Sequence, residues 1–398
     1  MKRTFLTALV GVMVLLLVPS VTAQVQSWEV VSDHYRVISE VSEAHAAEVA
    51  DLMEAMMELY NRQFRFAVDE VEAPLRVRVF ADKSRYDSYL RRLINETRPG
   101  VVYLHYGDPA KSELVGYHTT TEDLSRSYMH QSFIQFLRTF IPNPPLWIRE
   151  GFAVHFEASV YDEDFGAAVF RENLAWLDTL KEIVSGEAPG INPIPLDQML
   201  GLSVDDARHM VDVFYPQAWG MVNFLLNADR PETNRILWDS ISALSPTASR
   251  EENDQAVFRR AFRWVNQDAL QEEFLDYIGA RRTFRGWVEH AVAAFESGDM
   301  DEAERGFVQA INLRTDNHVP YYFLGLINYD RGNFGLADFY YQQALDNGAE
   351  QAVTLFALGV NAYAANRFED ALAYLESTIA ADPRYRERAE NLLLRIRG

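Results

Sequence analysis

Two residues twenty positions apart, His130 and Glu150, have the types and spacing that metal chemistry requires. An imidazole on one helix and a carboxylate on the next are both zinc ligands, and a second imidazole four residues after the first would complete the set. That second position holds Ile134, whose alkyl side chain has no lone pair, and the position of a general base holds the neutral amide of Gln131. Two ligands are too few for a zinc site, so the sequence predicts no cofactor and no functioning zinc centre.

Two segments around these residues resemble the motif helices of gluzincin (peptidase-MA-like) zinc peptidases. His130-Gln131-Ser132-Phe133-Ile134 stands where that family reads His-Glu-x-x-His, and Trp147-Ile148-Arg149-Glu150-Gly151-Phe152-Ala153 is similar to its Trp-Leu-Asn-Glu-Gly-Phe-Ala helix. The resemblance implies that His130 and Glu150 are vestigial metal ligands, that Gln131 replaces the base and that Ile134 replaces a ligand. The resemblance extends over roughly residues 28–280, although only the two motif helices are distinctive.

A third segment, which begins at Tyr215-Pro216-Gln217-Ala218-Trp219, is similar to a downstream helix of the same family. The resemblance implies for Tyr215 a vestigial role at the transition-state oxyanion. A buried aromatic whose hydroxyl meets a backbone partner remains the alternative.

A carboxylate at Glu150 without metal needs a partner, because an uncompensated buried charge is costly. We predict a hydrogen bond from His130 to Glu150, with Arg149 as a second partner; the alternative for His130 is a histidine satisfied by packing at a helix border. His155 lies five residues after Glu150, on another side of its helix, and His118 precedes the first motif helix. Neither is therefore predicted to complete a metal site.

The last 115 residues repeat with a period of 34. Gly298, Gly332 and Asn366 share one position of the period, and Ala303, Ala337 and Ala371 share another. Small residues recurring where helices cross are typical of stacked helical hairpins, and the pattern resembles three tetratricopeptide repeats over residues 284–385, with a capping helix over 386–398. The resemblance implies a protein or peptide partner in an apolar groove, with these lining residues: Val288, Val292, Phe295, Tyr322, Leu326, Tyr329, Phe356, Val360 and Tyr363.

The pattern of apolar residues in the remaining chain predicts an α+β fold that is mainly α. Strands are expected over Trp28–Val31, His34–Ile38, Leu75–Phe80, Val101–Tyr106 and Glu113–Tyr117, and helices over Ala46–Phe64, Ser84–Leu93 and most of residues 122–278. Residues 24–282 thus form the predicted gluzincin-like domain, with a small N-terminal sheet and a helical part.

The first 23 residues predict a signal peptide, since Lys2 and Arg3 precede an apolar run that ends in small residues at Ala23. We therefore expect export, to the periplasm or outside the cell, with no membrane span after leader removal. The net charge of −21, or −23 without Lys2 and Arg3, disfavours nucleic acid as a partner. There is no cysteine, which excludes disulfides and thiolate chemistry.

Three functions fit these patterns. The preferred one is a non-catalytic metallopeptidase relative that binds or assembles proteins in the cell envelope. The alternatives are a zinc peptidase with a non-standard metal site, and a repeat scaffold whose N-terminal domain is purely structural.

Overall fold

The computed structural model describes residues 26–119 and 122–397, with the side chains of residues 122–124 excepted. The chain is mostly helical, with a small N-terminal sheet and a C-terminal helical repeat region, as predicted. The predicted signal peptide lies outside the described residues. Within the described part, no helix has both the length and the apolar character needed to cross a membrane.

Contacts group the described residues into two compact units. The first comprises residues 26–54 and 69–119, and the second comprises residues 55–68 and 122–397. The first helix, Glu43–Phe64 (α1), therefore contributes its beginning to the first unit and its end to the second.

The first unit is built around five strands: Trp28–Val31 (β1), Tyr35–Ser39 (β2), Leu75–Phe80 (β3), Val102–Leu104 (β4) and Glu113–Tyr117 (β5). They form one sheet in the order β1-β2-β3-β5-β4, in which β2, β3 and β5 run parallel and β1 and β4 are antiparallel to their neighbours at the two edges. The unit also contains the beginning of α1 and the helix Lys83–Ile94 (α2).

Alternating apolar residues explain why these strands form and what they bury. On β3, Val77 and Val79 are fully buried, while Arg76 and Arg78 on the opposite face pair with the buried carboxylate of Glu113 at 3.1 Å each. The predicted strands agree with the observed ones to within a few residues, and β4 is shorter than expected.

The second unit is helical except for one hairpin. Its elements before the repeats are Glu122–Phe140 (α3), Leu146–Phe156 (α4), Val160–Asp162 (β6), Ala167–Val169 (β7), Leu177–Ser185 (α5), Leu196–Leu200 (α6), Val204–His209 (α7), Val211–Asn227 (α8), Pro231–Ser242 (α9), Arg250–Val257 (α10) and Gln267–Ala280 (α11).

The β6–β7 hairpin was not predicted. Its strands have three residues each, which is too few to show an alternating pattern of apolar residues. The Asp162 carboxylate accepts from the backbone N–H groups of Asp164 and Phe165, and Gly166 has a φ of +60°. Turn chemistry therefore forms this element.

The repeat region is three helical hairpins and a final helix. The pairs are Phe284–Ser297 (α12) with Met300–Leu313 (α13), His318–Asp330 (α14) with Phe334–Asp346 (α15), and Gln351–Ala364 (α16) with Phe368–Ala381 (α17), followed by Arg386–Arg397 (α18). The period of 34 thus marks one hairpin per repeat, as predicted, and α18 packs on α17.

The shared positions of the period have visible physical roles. Gly298, Gly332 and Asn366 all have left-handed backbones just after a first helix, with φ of 85°, 73° and 58°. Gly325 and Gly359 face Tyr341 and Leu375 of the following helix so closely that a Cβ atom would clash. Glycine suits these crossings because it leaves room for the Tyr341 and Leu375 side chains of the neighbouring helix.

Candidate functional site

Buried aromatic rings hold α3 and α4 in the positions that bring their polar residues together. The ring of Phe133 on α3 lies 5.9 Å from Phe152 and 5.3 Å from Phe156 of α4, between ring centroids. Tyr60 at the end of α1 packs against Phe156 at 4.9 Å, and its hydroxyl lies 2.8 Å from Ser132 Oγ. Because these rings fill the space between α3 and α4, their packing fixes how the two helices face each other.

A glycine next to Glu150 brings α4 against α8. A Cβ atom at Gly151 would lie 2.5 Å from the carbonyl oxygen of Ala218 and 2.6 Å from Cγ2 of Val222. Only a residue without a side chain permits this approach. The contact places Tyr215, near the start of α8, beside the residues of α3 and α4.

His130 bridges two carboxylates, Glu150 within α4 and Glu157 just after its last residue. Its Nε2 lies 3.2 Å from Oε2 of Glu150, and its Nδ1 lies 3.0 Å from Oε2 of Glu157. The predicted hydrogen bond between His130 and Glu150 is therefore present. Arg149, the other expected partner, donates from Nε to Oε1 of Glu150 at 2.7 Å.

The far carboxylate of this bridge is anchored as well. Asn173 donates from its side-chain amide to Oε1 of Glu157 at 2.8 Å and to the carbonyl of Val154 at 3.1 Å. The result is one connected group, here named the ion bridge: Arg149, Glu150, His130, Glu157 and Asn173. Two cations and two anions make the ion bridge neutral when His130 is protonated.

The geometry favours the protonated form of His130. An ionised carboxylate only accepts hydrogen bonds, so an imidazole that meets one at each nitrogen must donate from both. Burial lowers the pKa of His130, but the hydrogen bonds that its ring donates to Glu150 and Glu157, together with the charges of these two carboxylates, outweigh burial and raise the pKa to about 9. Burial raises the pKa of Glu150, but Arg149 and His130 lower it by a larger amount, so that the resulting pKa is about 2.

Tyr215 lies close to the ion bridge. Its ring centroid is 6.4 Å from that of His130. Burial, followed by the negative charge of Glu150, raises the pKa of the Tyr215 hydroxyl to about 12, so the phenol keeps its proton at neutral pH.

The donor set of this site does not fit a zinc ion. Both ring nitrogens of His130 lie within hydrogen-bond distance of carboxylates of the protein, and Ile134 contributes only buried alkyl surface where a second imidazole would be needed. Within residues 26–119 and 122–397, no group of three or more His, Asp or Glu side chains is arranged to hold a metal ion. We therefore assign no metal-dependent step to these residues.

The two other histidines considered as ligands have separate environments. His155 is 5% exposed among aromatic rings, 4.6 Å from that of Phe170, and burial lowers its pKa to about 4. His118, in the first unit, has its Nδ1 3.3 Å from Nε2 of His45. His155 is thus a neutral core residue at neutral pH.

Sequence reasoning missed Glu157 and Asn173. Glu157 lies seven residues after Glu150, which is two helical turns and the same face of α4, so helical spacing was the available signal. Asn173 lies in an irregular segment, and no sequence pattern indicated it.

The nine predicted groove residues are all half-buried. Several also serve packing within the array. Tyr322 lies 5.9 Å from Tyr341, and Phe356 lies 5.6 Å from Tyr385, between ring centroids. Val288 and Val360 are half-buried without belonging to a repeat core cluster of the described residues. The first helices therefore present partly exposed apolar surface.

Comparisons with known proteins give little beyond this geometry. No protein-family model and no curated protein matches the chain. A solved structure, the Arabidopsis OM64 TPR domain, is similar to 29% of this chain over 93% of its own length, with 18% identity and a TM-score of 0.27.

Proposed function

We propose that this protein binds a protein or peptide partner through the first helices of three tetratricopeptide-like hairpins. The supporting observation is the row of half-buried apolar and aromatic side chains on α12, α14 and α16. Such a surface suits an extended or helical apolar segment, which buries its own side chains against the rings.

In the same proposal, residues 24–282 are a gluzincin-like domain that has lost metal-dependent catalysis. The ion bridge supports this, since it satisfies His130 and Glu150 through charges of the protein alone. A cell-envelope location belongs to the proposal too, on the strength of the signal-peptide pattern of residues 1–23.

A phage-displayed library of random dodecapeptides tests the groove. We expect the full chain to enrich apolar peptides. Their affinity for a Val288→Glu/Val360→Glu variant should be lower by about tenfold or more, because each charge that the peptide buries costs over about 1 kcal/mol. The matched control is Val308→Glu/Leu336→Glu, two exposed positions on the second helices of their hairpins.

Equal binding to both variants would place the peptide site elsewhere. The truncations 24–282 and 284–398 then show which part of the chain retains the enriched peptides. Retention by 24–282 alone would contradict the groove proposal.

Metal analysis of the purified protein tests the loss of catalysis. We expect zinc well below one equivalent after dialysis. Near-stoichiometric zinc that a chelator removes, together with peptide hydrolysis lost on that removal, would instead establish the zinc peptidase.

A further inference from the structure

A group of exposed arginine and aromatic side chains follows α10. It comprises Phe258, Arg259, Arg260, Arg263 and Trp264, and is here named the arginine–tryptophan patch. Trp264 is 85% exposed and Phe258 is 41% exposed. In a chain with a net charge of −21, three arginines within five positions make this surface locally opposite in charge to the molecule as a whole.

An irregular helical turn supports the patch. Phe258–Phe262 forms a π-helix, which the backbone N–H of Arg263 closes by donating to the carbonyl of Phe258 at 2.8 Å. Phe262 is fully buried, with its ring centroid 6.2 Å from that of Trp147. Because the inward side of the turn is anchored in the core, its arginines are held outward.

The positive charge of the patch is only partly compensated. Among the described residues, no carboxylate lies within ion-pair distance of Arg259 or Arg263, whereas Arg260 meets Asp239 at 3.4 Å. The Arg263 guanidinium lies over the Trp264 ring, 4.8 Å from its centroid. Stacking leaves the edge of a guanidinium free to bind carboxylates in a bidentate manner.

A shallow depression adjoins these arginines. It is lined by Ser242, Ala243, Ala256, Arg259 and Arg260. Three of its five lining side chains are small, so two guanidinium groups border an open space.

We infer that the arginine–tryptophan patch binds an acidic peptide segment of a partner protein, one that carries an aromatic residue among its carboxylates. Charge complementarity selects the acidic chain, and the depression and the Trp264 face select the ring. Arginine and tryptophan are also the residues that most often dominate protein interfaces. An anionic membrane fits less well, because Ala261 and Phe262 face the core and the turn has no broad apolar face to insert.

Fluorescence anisotropy with the full chain tests this inference. The probe is a labelled decapeptide of aspartates and glutamates around one phenylalanine, and the comparison probe has asparagine and glutamine at every acidic position. We expect the acidic probe to bind at least about tenfold more tightly, and its affinity to fall as NaCl rises from about 50 to 300 mM. Equal binding of the two probes would overturn the inference.

Two variants locate the site. Arg259→Glu/Arg263→Glu should weaken binding of the acidic probe by about tenfold or more, and Trp264→Ala should weaken it by about fivefold. Arg388→Glu/Arg395→Glu, at exposed positions of α18, makes the same change in net charge and should leave binding unaltered. If both arginine pairs have equal effects, the probe responds to net charge and the patch is not its site.

Co-sedimentation with phosphatidylglycerol vesicles separates the lipid explanation. Binding to vesicles that Trp264→Ala abolishes, without binding of the acidic probe, would contradict the inference and assign the patch to a membrane surface. Because Trp264 is almost fully exposed, this variant is expected to fold even where charge reversal does not, and circular dichroism checks both.

Discussion

His130 has both ring nitrogens within hydrogen-bond distance of carboxylates, which makes it the centre of the ion bridge. A buried charge network stabilises only when every member is satisfied, and removing one member leaves another charge uncompensated. The ion bridge meets this condition through Arg149 at one end and Asn173 at the other. Its members therefore depend on one another.

Replacing Glu157 tests that dependence. Glu157→Gln keeps the size of the side chain and removes one charge next to His130. We expect the variant to lose about 2 kcal/mol of unfolding free energy in urea, and the pKa of His130 to decrease, as followed by NMR of the imidazole protons. The matched control, Glu163→Gln on the exposed hairpin loop, should change neither quantity. An unchanged His130 pKa would show that Glu157 does not act on the imidazole.

The pKa shifts of His130 and His155 predict opposite dependences of the unfolding free energy on pH. The raised pKa of His130 means that its contribution is complete below the unfolded value near 6.5 and is lost as pH rises through about 9. The lowered pKa of His155 means that its contribution is complete above about 6.5 and is lost as pH falls towards 4.

We therefore expect the unfolding free energy to peak near pH 6.5, with each histidine accounting for about 2 kcal/mol on its own side. Urea titrations from pH 4 to 9 measure this profile. His130→Asn should flatten the alkaline side and His155→Phe the acidic side; a profile that neither variant alters would contradict the assignment of these pKa values.

The link between His130 and Glu150 was predictable because it depends on two helices whose motif residues stand at recognisable spacings. Helical spacing places Glu157 on the same face as Glu150, but Glu157 lies one position beyond the last residue of α4, and the end of a helix is uncertain by one or two residues when only the sequence is known. Asn173 lies in a segment without regular structure, so only the folded chain brings it to Glu157.

At the scale of elements, close approaches between helices depend on single glycines. Gly151→Ala would push α4 away from Ala218 and Val222 of α8. We expect a loss of about 2–3 kcal/mol in unfolding free energy, as is usual for overpacking. Gly279→Ala, near the end of α11, has open space around the added Cβ atom and serves as the control. Equal stability of the two variants would show that α4 and α8 separate at little cost.

The left-handed turns of the repeats give another prediction. Asn366 already occupies the position that glycine occupies in the first two repeats, so Gly332→Asn should cost less than about 1 kcal/mol. Gly332→Val should cost about 1–2 kcal/mol, because a β-branched residue is strained at positive φ. Thermal unfolding followed by circular dichroism at 222 nm compares the two, and similar melting temperatures would contradict the role of the backbone.

Elements were predictable where a long pattern repeats and unpredictable where a few local contacts form them. The three hairpins follow from several positions that coincide at one period of 34. The β6–β7 hairpin depends on the carboxylate of Asp162 and the backbone of Gly166, which a pattern of apolar residues does not show.

At the scale of the molecule, the solenoid requires its last helix. α18 covers the apolar surface of α17 through Ala389 and Leu393, which cluster with Leu375. A chain ending at residue 385 would expose this cluster, so we expect a lower melting temperature and self-association, measured by calorimetry and light scattering. A monomeric truncated chain with an unchanged melting temperature would contradict the capping role.

The beginning of α1 belongs to the first unit and its end belongs to the second. The end of the helix therefore lacks its packing partners while the chain is being synthesised. Tyr60 and Phe64 are made early, yet the rings that cover them, including Phe133 and Phe152, are about 70 to 90 positions later in the chain. A nascent chain that has emerged from the ribosome only as far as residue 120 therefore carries two large aromatic rings that are not yet covered. Until translation has passed α4, such a chain is a substrate for molecular chaperones that bind exposed aromatic segments.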